Sequence, residues 1–416
     1  MGSTHSVGYP GWSDRLWKCL FWTISCMLIV RAVFDFVFQV FNAKVTQYTY
    51  TEFLINFEGG FVRRGLMGQG LFEFCKAVGV GPIPVIIAFS VIMYAAVAIF
   101  FFRKFRERKL NWWYLLLPFT LGMTVYIIRK DYLTYGLTIL ILYALRSRQT
   151  SPLKIFLAEM LMIFGLFVHE AYLFYGIPIC LLALYTTDTG RLNKIVCTAI
   201  PVITFLILSY FKGNLTVAHA IYDSWVPVIN RPDFVYTGDN SIGAIGWDTL
   251  ETFRSHFRQN FYVTDLGWTG LISRPVNQVV IYYFLVNFLY VLPGKGARFT
   301  KADQTAFSAV YLLMAICLLP MFTVLSCDID RVNQYAAMGA LTAFVVMPLS
   351  RLQAMFPAWW LRFVERINTL MNKAVVPTKG LIIIMIIYVN PFGNVFYSLL
   401  YKCLYAAQQA AMLLMS

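Results

Sequence analysis

Apolar positions in this chain do not alternate with polar ones. They come in runs of about twenty residues, and polar positions gather at the ends of those runs. A helix rises about 1.5 Å per residue, so such a run crosses a hydrocarbon core of about 30 Å. The runs fall near 19–41, 83–102, 111–128, 132–145, 155–170, 171–187, 194–211, 276–293, 305–326, 335–350 and 380–400. They predict an all-α polytopic membrane protein of about eleven transmembrane helices, the fifth and sixth tightly joined. Residues 1–416 read as a single integral-membrane domain, with no internal repeat, low-complexity tract or appended soluble domain.

The charges between the runs set the orientation. The loop Phe-Phe-Arg-Lys-Phe-Arg-Glu-Arg-Lys at 101–109 is strongly basic, and Arg146, Arg148 and Lys154 follow on the same side. With the N-terminus, Arg15 and Lys18 in the cytosol, cytosolic segments collect about 20 of the 34 Lys and Arg but about 5 of the 20 Asp and Glu. Basic residues resist translocation, so this bias places the N-terminus inside. The net charge of +14 is then a cytosolic face meeting anionic headgroups, and needs no nucleic acid as partner. Composition agrees: 59% hydrophobic and 13% charged is not a soluble globular chain. The first apolar run is too long for a cleavable signal peptide and lacks a small-residue cleavage site. The eight cysteines show no metal-ligand or disulfide-framework spacing.

Two outer segments are long. The first, 42–82, is semi-apolar and glycine-rich, and is expected to lie along the membrane interface as short helices. Its glycines, among them Gly59, Gly60, Gly65, Gly68 and Gly70, permit sharp turns or close approach to a ligand. The second, 212–275, carries Trp225, Trp247 and Trp268 among Tyr, Asn, Asp and Arg. Its aromatic rings are candidates to stack on sugars, although interfacial Trp and Tyr need no ligand. The cytosolic stretch 351–379 sets Trp359, Trp360, Phe363 and Ile367 against Arg362, Glu365, Arg366 and Lys373, and reads as an amphipathic helix on the inner leaflet.

Strongly polar groups recur at the outer ends of the runs. Arg31 and Asp35 share a face of the first helix, as an orienting ion pair or as the wall of a chamber. The run Glu-Gly-Gly-Phe-Val-Arg-Arg-Gly at 58–65 puts Arg63 and Arg64 between glycines. Their planar guanidinium forks match phosphate oxygens, although arginines at an interface also snorkel to headgroups. Arg129, Lys130 and Asp131 stand at the third–fourth junction, His169 and Glu170 at the end of the fifth run, and Asp328, Asp330 and Arg331 near the end of the ninth. Each alone is an ordinary helix-end cluster. Their convergence on one side predicts a composite polar site at the outer boundary. His169 has the titration range for proton transfer, and a structural hydrogen bond is the simpler alternative. There is no nucleotide-binding glycine loop, zinc-protease motif or nucleophile elbow. The broken-helix symmetry of many transporters is also missing.

The run Tyr-Ile-Ile-Arg-Lys-Asp-Tyr-Leu-Thr-Tyr-Gly-Leu at 126–137, the basic turn after it and Phe-Val-His-Glu at 167–170 resemble bacterial polysaccharide polymerases of the Wzy and EpsG type. The spacing of Asp328 and Arg331 before a late helix is similar too. The resemblance implies a GT-C-like integral-membrane glycosyltransferase of the bacterial cytoplasmic (inner) membrane. Such an enzyme polymerises undecaprenyl-pyrophosphate-linked repeat units of O-antigen, capsule or exopolysaccharide on the extracytoplasmic face. It implies lipid-linked oligosaccharide donor and acceptor, membrane lipids, and a flippase and chain-length regulator as partners. No cofactor is implied; the carboxylates could hold a divalent ion, but no spacing demands one. On this reading His169 or Glu170, then Glu58, are the candidate bases. Arg63, Arg64, Arg129 and Arg331 hold the pyrophosphate, and Asp131, Asp328 and Asp330 orient sugar hydroxyls. A glycan ligase, a single-sugar transferase using a polyprenyl-phosphate sugar, and a lipid-linked glycan transporter or flippase remain alternatives.

Overall fold

The computed structural model describes residues 11–41, 44, 46–117, 119–122, 127–262, 267–294 and 299–389. Among them the chain is helical throughout. The helices are α1 Gly11–Phe41, α2 Tyr48–Thr51, α3 Gly65–Val78, α4 Pro82–Glu107, α5 Asp131–Ala144 and α6 Pro152–Val168. There follow α7 Tyr172–Tyr175, α8 Ile177–Tyr185, α9 Arg191–Tyr210, α10 Leu215–Ile229 and α11 Thr249–Phe261. The last six are α12 Gly270–Val291, α13 Lys301–Cys317, α14 Ile329–Val346, α15 Leu349–Ala354, α16 Ala358–Ala374 and α17 Lys379–Val389.

Local chemistry sets many of these ends. Ser151 caps α6 by accepting from the Lys154 amide, and Pro152 takes the first helical position, where its missing N–H costs nothing. Asn214 and Asp248 cap α10 and α11 in the same way. Thr300 and Asp303 form a reciprocal capping box at α13.

Helices α4 and α9 have the length and hydropathy to cross a membrane. Both turn large aliphatic side chains outward without protein cover, including Ile92, Ile99, Ile203 and Leu206. Helix α16 with Lys379–Ile386 of α17 would count as one further span only as a broken one, bent by 96°. The other predicted spans that fall on described residues are less regular. α5 has 14 residues and α8 has 9, too short to cross 30 Å alone.

The described residues of the stretch predicted as a helix at 111–128 form no α-helix. Asn111 caps a 3-10 turn at Trp112–Leu116, and the chain then folds back. The Thr120 hydroxyl donates to the carbonyls of Tyr114 and Leu117, and a Cβ at Gly122 would lie 2.0 Å from the Leu116 carbonyl oxygen. Hydropathy reported a buried segment correctly but could not tell a folded-back one from a helix.

Helix α14 is the axis of the bundle. Every residue from Val332 to Val346 is buried, against α13 and α5. A second, smaller core lies where the stretch 50–72 meets the stretch 221–245. Tyr50, Phe53, Leu54 and Phe72 from the first pack with Ile221, Trp225, Ile229 and Ile245 from the second. Trp225 donates to the Leu54 carbonyl at 2.7 Å, Ser241 Oγ donates to the Tyr48 carbonyl at 2.7 Å, and the Ser241 amide donates to Thr51 Oγ1 at 3.0 Å. Trp225 is therefore a core residue and not a sugar platform, while Trp247 and Trp268 are exposed. This cap fixes residues 48–56. Helix α3 approaches them so closely that a Cβ at Gly68 would sit 1.8 Å from the Ile55 carbonyl oxygen. The approach that the glycine-rich run permits here is to the protein's own backbone. The side chain of Arg31 lies outside the described residues, and with it the proposed pair with Asp35.

Candidate functional site

Four segments distant in sequence meet beneath the cap, and each contributes charge. Glu52 comes from a 3-10 turn, Glu52–Leu54. Arg63 and Arg64 come from the turn before α3, Arg129, Lys130 and Asp131 from the start of α5, and His169 and Glu170 from the end of α6. Arg331 lies in the first turn of α14.

Glu52 is at the centre, with no exposed surface. Its Oε2 accepts from Arg129 at 2.8 Å. Its Oε1 faces His169 Nε2 at 3.3 Å, Arg331 at 3.9 Å and Arg64 at 4.0 Å, without a hydrogen bond of good geometry. Burial pushes the Glu52 carboxyl up, but Arg331, Arg129, His169 and Arg64 together outweigh it and hold it well below the usual carboxylate range.

Two bidentate pairs flank this centre. Arg64 grips Glu170 through Nε at 2.7 Å and a terminal nitrogen at 2.5 Å, with Arg63 at 3.3 Å from the same carboxylate. Arg331 grips Asp131 at 2.7 and 2.8 Å, and Tyr335 donates to that carboxylate at 2.9 Å. Planar guanidinium–carboxylate pairs of this kind fix orientation as well as charge. Tyr335 is held in turn by a parallel stack on Tyr175, ring centres 4.0 Å apart.

Arg64 adopts a left-handed backbone, φ 65°. For a side chain with a Cβ this costs about 1–2 kcal/mol, so the conformation must be held from outside. The Glu170 pair holds the side chain, and Lys130 Nζ donates to the Arg64 carbonyl at 3.3 Å. His169 accepts the Ala171 amide on Nδ1 at 3.1 Å. Its Nε2 lies 3.3 Å from Glu52 Oε1 and 3.3 Å from a terminal nitrogen of Arg331.

The sum of charges is informative. Among the described residues, Arg63, Arg64, Arg129, Lys130 and Arg331 gather around Glu52, Asp131 and Glu170, five basic side chains to three carboxylates, with burial lowering the pKa of the Lys130 ammonium to about 8. Buried charge is tolerated when paired, so a predominantly cationic cluster of this kind is complementary to an anion. Arg63, with its side chain 35% exposed, is the most open member.

The structure thus brings together His169, Glu170, Arg63, Arg64, Arg129, Arg331 and Asp131. It leaves Glu58 outside: that carboxylate is exposed and accepts from Gln69 at 3.0 Å. The intervening Gly-Gly turn carries it away from its arginine neighbours. Asp330 is likewise exposed, near Arg274 and Asp328. Asp328 sets the helix start, its amide donating to Ser326 Oγ at 3.0 Å.

The sequence reading missed Glu52 as a site residue. The available signal was a lone carboxylate inside the apolar run Tyr-Thr-Glu-Phe-Leu-Ile at 50–55. It also missed Lys130, fully buried with its ammonium over the Phe53 ring, and Tyr335, four residues after Arg331. Among the described residues no group of three or more His, Cys, Asp or Glu is placed to hold a metal ion. No family model, curated protein or solved structure matches the chain.

Proposed function

We propose that this protein is a GT-C-like integral-membrane glycosyltransferase with a cytosolic N-terminus. It polymerises undecaprenyl-pyrophosphate-linked repeat units at the outer face of the bacterial cytoplasmic membrane. The observation that carries this reading is the gathering of four guanidinium groups, Arg63, Arg64, Arg129 and Arg331, at the end of α6 and the starts of α3, α5 and α14. A pyrophosphate diester carries the complementary charge. As the sugar departs, the leaving pyrophosphate gains further charge, which preorganised guanidinium groups stabilise more than they stabilise the ground state.

In the reaction the acceptor hydroxyl oxygen bonds to the donor's anomeric carbon. The bond from that carbon to the phosphate oxygen breaks, its electron pair leaves with the pyrophosphate, and the hydroxyl proton goes to a carboxylate. The geometry weighs against two of the candidates chosen from sequence. Both Glu170 oxygens are engaged by Arg64, and Glu58 is remote from the cluster. His169 Nε2 stands between Glu52 and Arg331, 3.3 Å from each. Glu52 Oε1 is the carboxylate oxygen in the cluster without a well-formed hydrogen bond.

The test is the glycan ladder of cells lacking the gene, complemented with wild type or Arg63→Ala. Arg63 is partly exposed, so its loss should leave the fold intact. Deletion should leave single repeat units, wild type should restore the ladder, and Arg63→Ala should not. A ladder unaffected by deletion would eliminate the polymerase reading.

A further inference from the structure

A second polar site lies at the other end of the bundle. Helices α13 and α14 run antiparallel, so Lys301 at the start of α13 and Arg331 at the start of α14 are at opposite ends of the pair. Beside Lys301, where α13 meets α16, is a half-open cavity of about 300 Å³ whose lining includes Lys301, Glu365, Asn372 and Lys373.

Its floor is rigid and already committed. Asn368 accepts from the Tyr282 hydroxyl at 2.6 Å and donates to Ser308 at 3.0 Å, and Gln304 donates to Asn287 at 2.9 Å. Its rim is uncommitted. Among the described residues, Lys301, Lys373 and Glu365 form no ion pair. Asn372 Oδ1 is buried and accepts no hydrogen bond. A buried acceptor normally has a partner, so this one points to a missing donor.

Two ammonium groups, one carboxylate and one open acceptor are complementary to a particular ligand. That ligand is a phosphate joined by a short arm to a protonated amine. The surroundings name its source. Helix α16 exposes Trp359, Phe363 and Leu370, and the 96° bend into α17 exposes Val375 and Val376. An amphipathic helix turning sharply into an apolar one lies in the interface plane at headgroup depth. The basic loops put this end on the cytosolic side.

We infer that the cavity binds a phosphatidylethanolamine headgroup of the cytosolic leaflet, its phosphate between Lys301 and Lys373 and its ammonium on Glu365 and Asn372 Oδ1. The site is independent of glycosyl transfer.

The test uses the full chain, reconstituted in nanodiscs of mixed phosphatidylethanolamine, phosphatidylglycerol and phosphatidylcholine, with retained lipid counted by native mass spectrometry. Wild type should retain phosphatidylethanolamine over both others, since the choline headgroup has no N–H to donate. The double variant Lys301→Ala, Lys373→Ala should reduce that retention about tenfold or more, each contact being charge-assisted. Both lysines are exposed, so their loss leaves the core undisturbed. Glu365→Gln should abolish the preference over phosphatidylglycerol. Asn372→Leu should lower retention, whereas a purely structural Asn372 would leave it unchanged. Equal retention of the three lipids by wild type, or an unaltered lipid set in the double lysine variant, would overturn the assignment. So would binding of soluble phosphoethanolamine as tight as that of the lipid.

Discussion

Replacing Glu52 by Gln keeps the shape of the side chain and removes the charge on which the cluster is centred. Arg129 then loses its 2.8 Å partner, and Arg331 and Arg64 lose an anion at 3.9 and 4.0 Å. At an effective dielectric of about 20, one pair of unit charges 4 Å apart interacts by about 4 kcal/mol. The contacts overlap and Glu52 loses a desolvation penalty as well, so these energies do not add. Breaking a buried pair by removing one partner typically costs about 3–5 kcal/mol, and that is the expected loss for Glu52→Gln.

The pH dependence gives the sharper check. The folded-state carboxyl is held below its ordinary value. Its stabilisation is therefore fully present above the unfolded value, near pH 4.3, and is lost as pH falls through the folded value. Wild type protonated at Glu52 resembles the Gln variant. The gap in apparent melting temperature, measured in detergent micelles by intrinsic fluorescence, should be about 5 °C or more at pH 7. It should shrink steadily below about pH 4 as protonation overtakes Glu52. A variant as stable as wild type at pH 7, or a gap that does not change with pH, would refute the central role given to this carboxylate.

Arg331→Lys keeps the charge but cannot reproduce the two-pronged grip on Asp131; it should shorten the glycan ladder severely while the protein still inserts, and a full ladder would count against a geometric role. Trp225→Phe leaves the Leu54 carbonyl without its donor under the cap. The expected cost is about 1–3 kcal/mol, read as a lowered unfolding midpoint. Gly68→Ala forces α3 off the segment carrying Glu52; it should both destabilise the protein and abolish complementation, and normal behaviour would mean that the close approach is dispensable.

Much of the site was readable because charge is conspicuous in an apolar chain. Arg63, Arg64, Arg129, Asp131, His169, Glu170 and Arg331 each stand out at the end of an apolar run, and burial against such a background implies partners. Glu58 and Asp330 stand out equally and lie elsewhere, because adjacency in sequence does not fix direction. The turn after Glu58 and the helical rotation between Asp330 and Arg331 send neighbouring side chains to different sides. Glu52 was overlooked because it sits within an apolar run, where nothing local indicates a partner.

The sequence by itself determined that the chain is helical and that a few of its segments are apolar enough for a membrane. These properties depend on local composition and on the free energy of moving each residue into hydrocarbon. The tertiary structure decided which carboxylate meets which guanidinium, that residues 112–122 fold back instead of continuing as a helix, and that the stretches 50–72 and 221–245 close over the cluster as one cap. Each of these depends on contacts between residues up to about two hundred positions apart, such as Arg331 with Asp131 and Trp225 with Leu54. Ion-pair geometry is a matter of distance and direction in space, and local pattern carries neither.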